Sequence, residues 1–63
     1  MNHYSKEELK EAIRSIESTI SKCEKVRPKL KQGTSQHTLL VRRIKAFQIA
    51  LSLLKEKLED KLE

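Results

Sequence analysis

The chain has 63 residues, of which 37% are apolar and 37% charged, with one glycine, one proline and a net charge of +5. A chain this short forms a single domain (1–63), buries only about 60% of its unfolded surface and leaves little room for a catalytic cleft. Too few aromatic, β-branched and turn residues are present for a strand-rich fold, and the abundance of Leu, Ile, Lys and Glu is typical of long helices.

Three further classes of protein are disfavoured. A single cysteine, Cys23, cannot form an intrachain disulfide, which argues against secreted disulfide scaffolds. The first residues lack the basic and apolar regions of a signal peptide. The longest uncharged run, 46–54, has nine residues, whereas a membrane span needs about 20. We therefore expect a cytoplasmic protein without a membrane partner.

The first helix is predicted over about 6–31. Ser5 and Glu8 form the Ser-x-x-Glu pattern of a capping box at its start. Pro28 lacks the N–H that the helix ladder needs, so we expect a kink or break there. Apolar residues recur every three or four positions along this helix, which predicts one buried stripe. The stripe consists of Leu9, Ile13, Ile16, Ile20 and Cys23.

The second helix is predicted over about 35–61. Gly33, the only glycine, is expected to adopt a left-handed conformation before it, with Thr34 or Ser35 as the N-cap. Its stripe consists of Leu40, Ile44, Phe47, Leu51, Leu54 and Leu58. Both stripes have heptad spacing, and a turn between Gly33 and Thr34 brings them together in an antiparallel hairpin. The predicted pairs are Leu9–Leu58, Ile13–Leu54, Ile16–Leu51, Ile20–Phe47 and Cys23–Ile44.

Helix 2 has more apolar surface than one partner helix can cover. A wide exposed apolar face on a small protein usually marks an interface. The additional residues are Leu39, Ala46, Ala50 and Leu53, with Val41 and Ile49 further round the helix, and all of them except Val41 are expected in the interface. The fold class we expect is therefore all-α, an antiparallel two-helix hairpin that dimerises into a four-helix bundle. The alternative is a monomer that docks this face on a different protein, and the orientation of the dimer stays open.

The positive charge is concentrated in the middle of the chain, which forms the turn end of the hairpin. Residues 22–45 contain eight basic side chains against Glu24 alone, whereas 1–21 and 46–63 each have a net charge of −1. The basic residues are Lys22, Lys25, Arg27, Lys29, Lys31, Arg42, Arg43 and Lys45. Thr34, Ser35 and His37 beside them, at a helix N-terminus, complete a candidate anion site.

A charge distribution this uneven attracts polyanions, so we expect nucleic acid or an acidic protein as the partner. Because no exposed aromatic residue lies near the turn for base stacking, contact with nucleic acid is expected to be with its backbone or shape. The alternative interpretation is a basic surface that only keeps the protein soluble.

No catalytic motif is present, and we expect a non-catalytic binding or regulatory protein without a cofactor. Gly33 is not followed by the Lys-Ser/Thr of a phosphate-binding loop. Cys23, His3 and His37 are too scattered to form a closed zinc site, so no metal is expected. Arg27 and Arg43 could hold a dianionic substrate between helices, but arginines at the end of a bundle usually extend to water.

The segment 33–46, Gly-Thr-Ser-Gln-His-Thr-Leu-Leu-Val-Arg-Arg-Ile-Lys-Ala, resembles the centre of short bacterial helical-hairpin proteins of uncharacterised function. In those proteins Gly-Thr/Ser-x-Gln-His-Thr-Leu-Leu precedes a basic pair. The resemblance also takes in Lys22-Cys23-Glu24-Lys25, so that it extends over residues 22–46. It implies a bacterial source and a compact helical fold, and it implies no activity.

Overall fold

In the computed structural model, which describes residues 3–62, the chain folds into two antiparallel α-helices, α1 (Lys6–Val26) and α2 (Ser35–Leu62). A short 3₁₀ turn, Arg27–Lys29, and the loop 30–34 join them. The hairpin is a rod of 44 × 19 × 16 Å. The predicted all-α hairpin is confirmed for the described residues. Neither helix has a stretch long and apolar enough to cross a bilayer.

Helix α1 begins with the predicted capping box. The Glu8 N–H donates to Ser5 Oγ at 3.0 Å, and the Ser5 N–H donates to Glu8 Oε1 at 2.9 Å. These two bonds satisfy backbone donors that have no partner within the helix. Glu7 and Glu8 also place negative charge at the positive end of the helix dipole. The start of α1 is therefore determined by local sequence alone.

Helix α1 ends earlier than predicted. The break near Pro28 is confirmed, but the α-helix stops at Val26 and does not extend to residue 31. Pro28 has no N–H to donate to the Glu24 carbonyl, so the chain tightens into the 3₁₀ turn. Leu30 closes that turn through its N–H, which lies 3.2 Å from the Arg27 carbonyl, and its own backbone is extended.

The reversal of the chain centres on Gly33. The Thr34 N–H donates to the Lys31 carbonyl at 3.3 Å, which closes a four-residue β-turn with Gly33 in third position. Gly33 has a φ of 87°, and no other residue in the described part of the chain has a positive φ. A type II turn requires a positive φ at this position, and glycine adopts it without steric cost. The predicted left-handed glycine is confirmed, although it lies in the turn and not directly at the end of α1.

The seam between the helices is a thin core. Among residues 3–62, only Leu9 and Ile44 are buried, with 3% and 4% of their surface exposed. Every other residue of the two predicted stripes is half-buried, so the predicted inner faces are confirmed. A groove beside the seam is lined by Leu54 of α2 together with Leu9 and Ala12 of α1. This places Leu54 level with the part of α1 that contains its predicted partner, Ile13.

Candidate anion-binding tip

The turn end of the rod brings together the end of α1, the 3₁₀ turn and the start of α2. We call the eight basic side chains at this end the basic tip, and all eight are exposed. They are Lys22, Lys25, Arg27, Lys29, Lys31, Arg42, Arg43 and Lys45. Residues more than 20 positions apart in the chain thus contribute charge to the same end of the molecule.

Little of this charge is neutralised within the chain. Arg27 Nη2 lies 3.5 Å from Glu24 Oε2, and both side chains are more than a third exposed. Within residues 3–62, the only other ion pair joins Glu17 and Lys55 at 3.4 Å, well away from the tip. Seven of the eight basic side chains of the tip therefore have no carboxylate of the described residues within 4 Å. Their field is directed at solvent and at whatever approaches this end of the rod.

The basic side chains surround the end of the rod and do not form a patch on one face. At 3.6 residues per turn, Lys25 and Arg42 lie on the outer sides of their helices, away from the seam. Lys22 and Lys45 also lie far from the seam, about 140° around their helices, whereas Arg43 lies about 60° from it. This arrangement suits a partner with a continuous negative surface better than a small ligand, which needs converging groups.

The Thr34 hydroxyl is occupied by the turn. Its Oγ1 donates to the Lys31 carbonyl at 2.7 Å and accepts the His37 N–H at 3.3 Å. Thr34 is therefore the N-cap of α2, and the predicted choice between Thr34 and Ser35 is resolved. Because its hydrogen is already donated to Lys31, this hydroxyl has no donor left for an anion.

Ser35 and His37 lie on opposite sides of α2. Ser35 is exposed and lines a shallow groove together with Gly33, Thr38 and Arg42. His37 is half-buried beside Leu30 and Pro28 in a separate groove. The structure thus places Ser35 beside Arg42 in one groove and His37 beside Arg27 in the other, so each lies with a different arginine of the tip. The prediction of one anion site took account only of the short distance of both residues from the turn.

The other chemically reactive residues are not brought together. Cys23 is half-buried in the seam, and His3 is exposed at the opposite end of the rod from His37. Among residues 3–62, no group of three or more His, Cys, Asp or Glu side chains is close enough to share a metal ion. Arg27 is about half exposed and lies 3.5 Å from Glu24, which already partly neutralises its charge.

The pairing of Arg27 with Glu24 was missed by sequence reasoning. Their i, i+3 spacing is the signal that could have shown it, because residues three apart are neighbours on a helix surface.

Comparisons with protein-family models, with curated proteins and with solved structures found no match for this chain. The resemblance carried by residues 33–46 therefore stays a prediction, and the geometry of the tip carries the functional argument.

Proposed function

We propose that this protein is a non-catalytic, cytoplasmic binding module whose basic tip contacts the phosphate backbone of nucleic acid. The observation that carries the proposal is the set of seven exposed basic side chains that have no carboxylate partner within the described chain. Phosphates bound by such side chains release counterions, which favours binding at low and moderate salt.

The shape of the tip supports backbone contact over base recognition. The basic side chains surround a rod only 19 × 16 Å in cross-section, and no aromatic side chain lies among them. Tyr4 is at the far end of the molecule, and Phe47 is half-buried in the seam. Without aromatic surfaces for stacking, the tip offers charge but little means of reading a base.

The direct test is fluorescence anisotropy with an RNA hairpin and a DNA duplex over a series of salt concentrations. The tip variant is Arg42→Glu with Arg43→Glu, and the matched control is Lys10→Glu with Arg14→Glu at the opposite end. Both changes lower the net charge from +5 to about +1. Circular dichroism of each variant verifies that the helices are retained.

We expect wild-type protein to bind with a steep salt dependence. The tip variant should bind more than tenfold more weakly, with a slope of log K against log salt reduced by about 2, since each lost phosphate contact removes about one unit. The control should keep most of its affinity. Equal losses in the two variants would show that net charge alone, and not the tip, attracts nucleic acid.

A further inference from the structure

Helix α2 has a second apolar face that α1 does not touch. Leu39, Ile49 and Leu53 are 48%, 53% and 61% exposed, and the small Ala46 and Ala50 lie between them. We call these five residues the outer stripe. Leu39, Ala46 and Leu53 are seven residues apart, so they form one line about 21 Å long. This line runs roughly 130° around the helix from the seam.

The described chain has nothing that could cover this stripe. The exposed residues of α1 are Lys, Arg, Glu and Ser, with Val26 as the one apolar exception. A rigid hairpin also cannot fold α1 around to the far side of α2. The stripe can therefore be buried only if another molecule packs against it.

The hairpin exposes more surface than a compact monomer of the same mass, and the excess is close to the area that a dimer interface buries. The chain exposes 5287 Å², whereas a compact monomer of its 7.4 kDa mass exposes about 4200 Å². The excess is on the order of 1000 Å². A stable protein–protein interface covers about 800 Å² on each partner. One further copy of the same rod, laid along α2, would thus bring the area per chain into the ordinary range.

We propose that a second copy of this chain covers the outer stripe, with the two α2 helices antiparallel and a two-fold axis at Ala46. In this register Leu39 packs on the partner's Leu53 at each end of the contact. Ala46 meets the partner's Ala46 in the middle, where two methyl groups let the helices approach closely. The line of Leu39, Ala46 and Leu53 is thus self-complementary, as a two-fold interface requires, and Ala50 and Ile49 come level with Arg42 and Arg43 of the second copy.

Charge determines the direction of the second copy. A parallel arrangement would place one basic tip, with a net charge of +7 over 22–45, directly beside another. The antiparallel arrangement places each tip beside the open end of its partner, where 1–21 and 46–63 together have a net charge of −2. Opposite charges in register favour the second arrangement, and like charges oppose the first. This inference does not rest on the proposed binding of nucleic acid.

Sedimentation equilibrium gives the first test. We expect wild-type protein to sediment at twice its chain mass of 7.4 kDa. Leu53→Gln, which places an amide in the stripe, should raise the dissociation constant at least tenfold. Val41→Gln is the matched control, since Val41 is exposed on α2 but lies outside the stripe. A monomeric wild type, or equal effects of the two substitutions, would overturn the proposal.

Cysteine cross-linking tests the orientation in a Cys23→Ala background, which should first be shown to sediment as the wild type does. Leu39→Cys and Leu53→Cys are oxidised separately and as an equal mixture. The antiparallel register predicts disulfide-linked dimers mainly in the mixture, because 39 meets the partner's 53. Efficient cross-linking of either variant alone would indicate parallel helices and overturn the orientation. A dimer that cross-links in no combination would overturn the register.

Discussion

Glu17 Oε2 lies 3.4 Å from Lys55 Nζ, and within residues 3–62 this is the one ion pair that joins α1 to α2. The two residues lie on the same flank of the seam, one in the middle of α1 and one in the last third of α2. Both side chains are about half exposed, so water and salt weaken their attraction. The pair therefore shows how the two helices are aligned, but it contributes little to the stability of the hairpin.

A charge swap tests this alignment. Glu17→Lys should place like charges together and lower stability slightly, and adding Lys55→Glu should restore it. We expect a coupling free energy of about 0.2–1 kcal/mol from a double-mutant cycle in urea, decreasing in high salt. A coupling of zero at low salt would contradict the contact between these two side chains.

Ile44 should be the most sensitive position of the seam. It is 4% exposed, so truncation to alanine removes buried surface and leaves a cavity. We expect Ile44→Ala to lower the free energy of unfolding by about 2–4 kcal/mol. Val41→Ala, at a 39% exposed position on the same helix, should cost far less. Urea unfolding at one fixed protein concentration measures both, and similar costs would contradict the observed inner face of α2.

Substitution of Thr34 should change the stability of the turn without changing the affinity of the tip for nucleic acid. Thr34→Ala removes both bonds of the hydroxyl, to the Lys31 carbonyl and from the His37 N–H. We expect a loss of about 1 kcal/mol in stability, which Thr34→Ser should largely restore. Nucleic-acid affinity, measured where both variants are folded, should change little because the hydroxyl has no donor to offer. A large loss of affinity in folded Thr34→Ala would show that Thr34 contacts the ligand.

Substitution of Gly33 measures the cost of backbone strain alone, because a Cβ at this position would clash with nothing. A Cβ at this position would meet no atom within 4 Å, so the cost of a side chain comes from its φ of 87°. We expect Gly33→Val to lower stability by about 1–2 kcal/mol, and Gly33→Asn by less, since asparagine tolerates the left-handed region. Thermal unfolding followed by circular dichroism compares the two. Equal melting temperatures for wild type and Gly33→Val would contradict the positive φ.

The capping box should determine how well the first turn of α1 forms. Glu8→Ala removes the acceptor for the Ser5 N–H, and we expect a loss of about 0.5–1 kcal/mol. Glu8→Gln keeps an acceptor oxygen and should retain more of this stability than Glu8→Ala. The remaining difference between Glu8→Gln and the wild type is then due to the lost charge at the helix N-terminus. Chemical denaturation distinguishes the variants. If both substitutions cost the same, the hydrogen bond contributes nothing beyond the charge.

Most of the fold follows from local pattern. Heptad spacing identifies Leu9 and Ile44 as inward residues, and Ser5 and Glu8 identify a helix start, because both signals depend only on sequence separation. The end of α1 was harder to predict, since Pro28 is compatible with a kink, a break or a 3₁₀ turn. The outcome depends on how the chain reaches Gly33.

The candidate site was predictable in its charge and less so in its hydrogen bonds. A count of basic residues places the charge at the turn, and the structure agrees. The count does not show that Thr34 donates to Lys31, or that His37 lies apart from Ser35. The first fact depends on the side-chain rotamer of Thr34, which no spacing determines. The second follows from helix geometry, because residues two apart lie about 200° apart around the helix.

The thin core has a consequence for the lifetime of the protein in a cell. Because Leu9 and Ile44 are the only buried residues in the described part of the chain, the hairpin has little stability of its own to protect it from proteases. Any ligand that binds only the folded chain adds to that stability, by about 2.7 kcal/mol when present at 100 times its dissociation constant. Chains without a ligand should therefore be degraded first, so the amount of protein would follow the amount of what it binds.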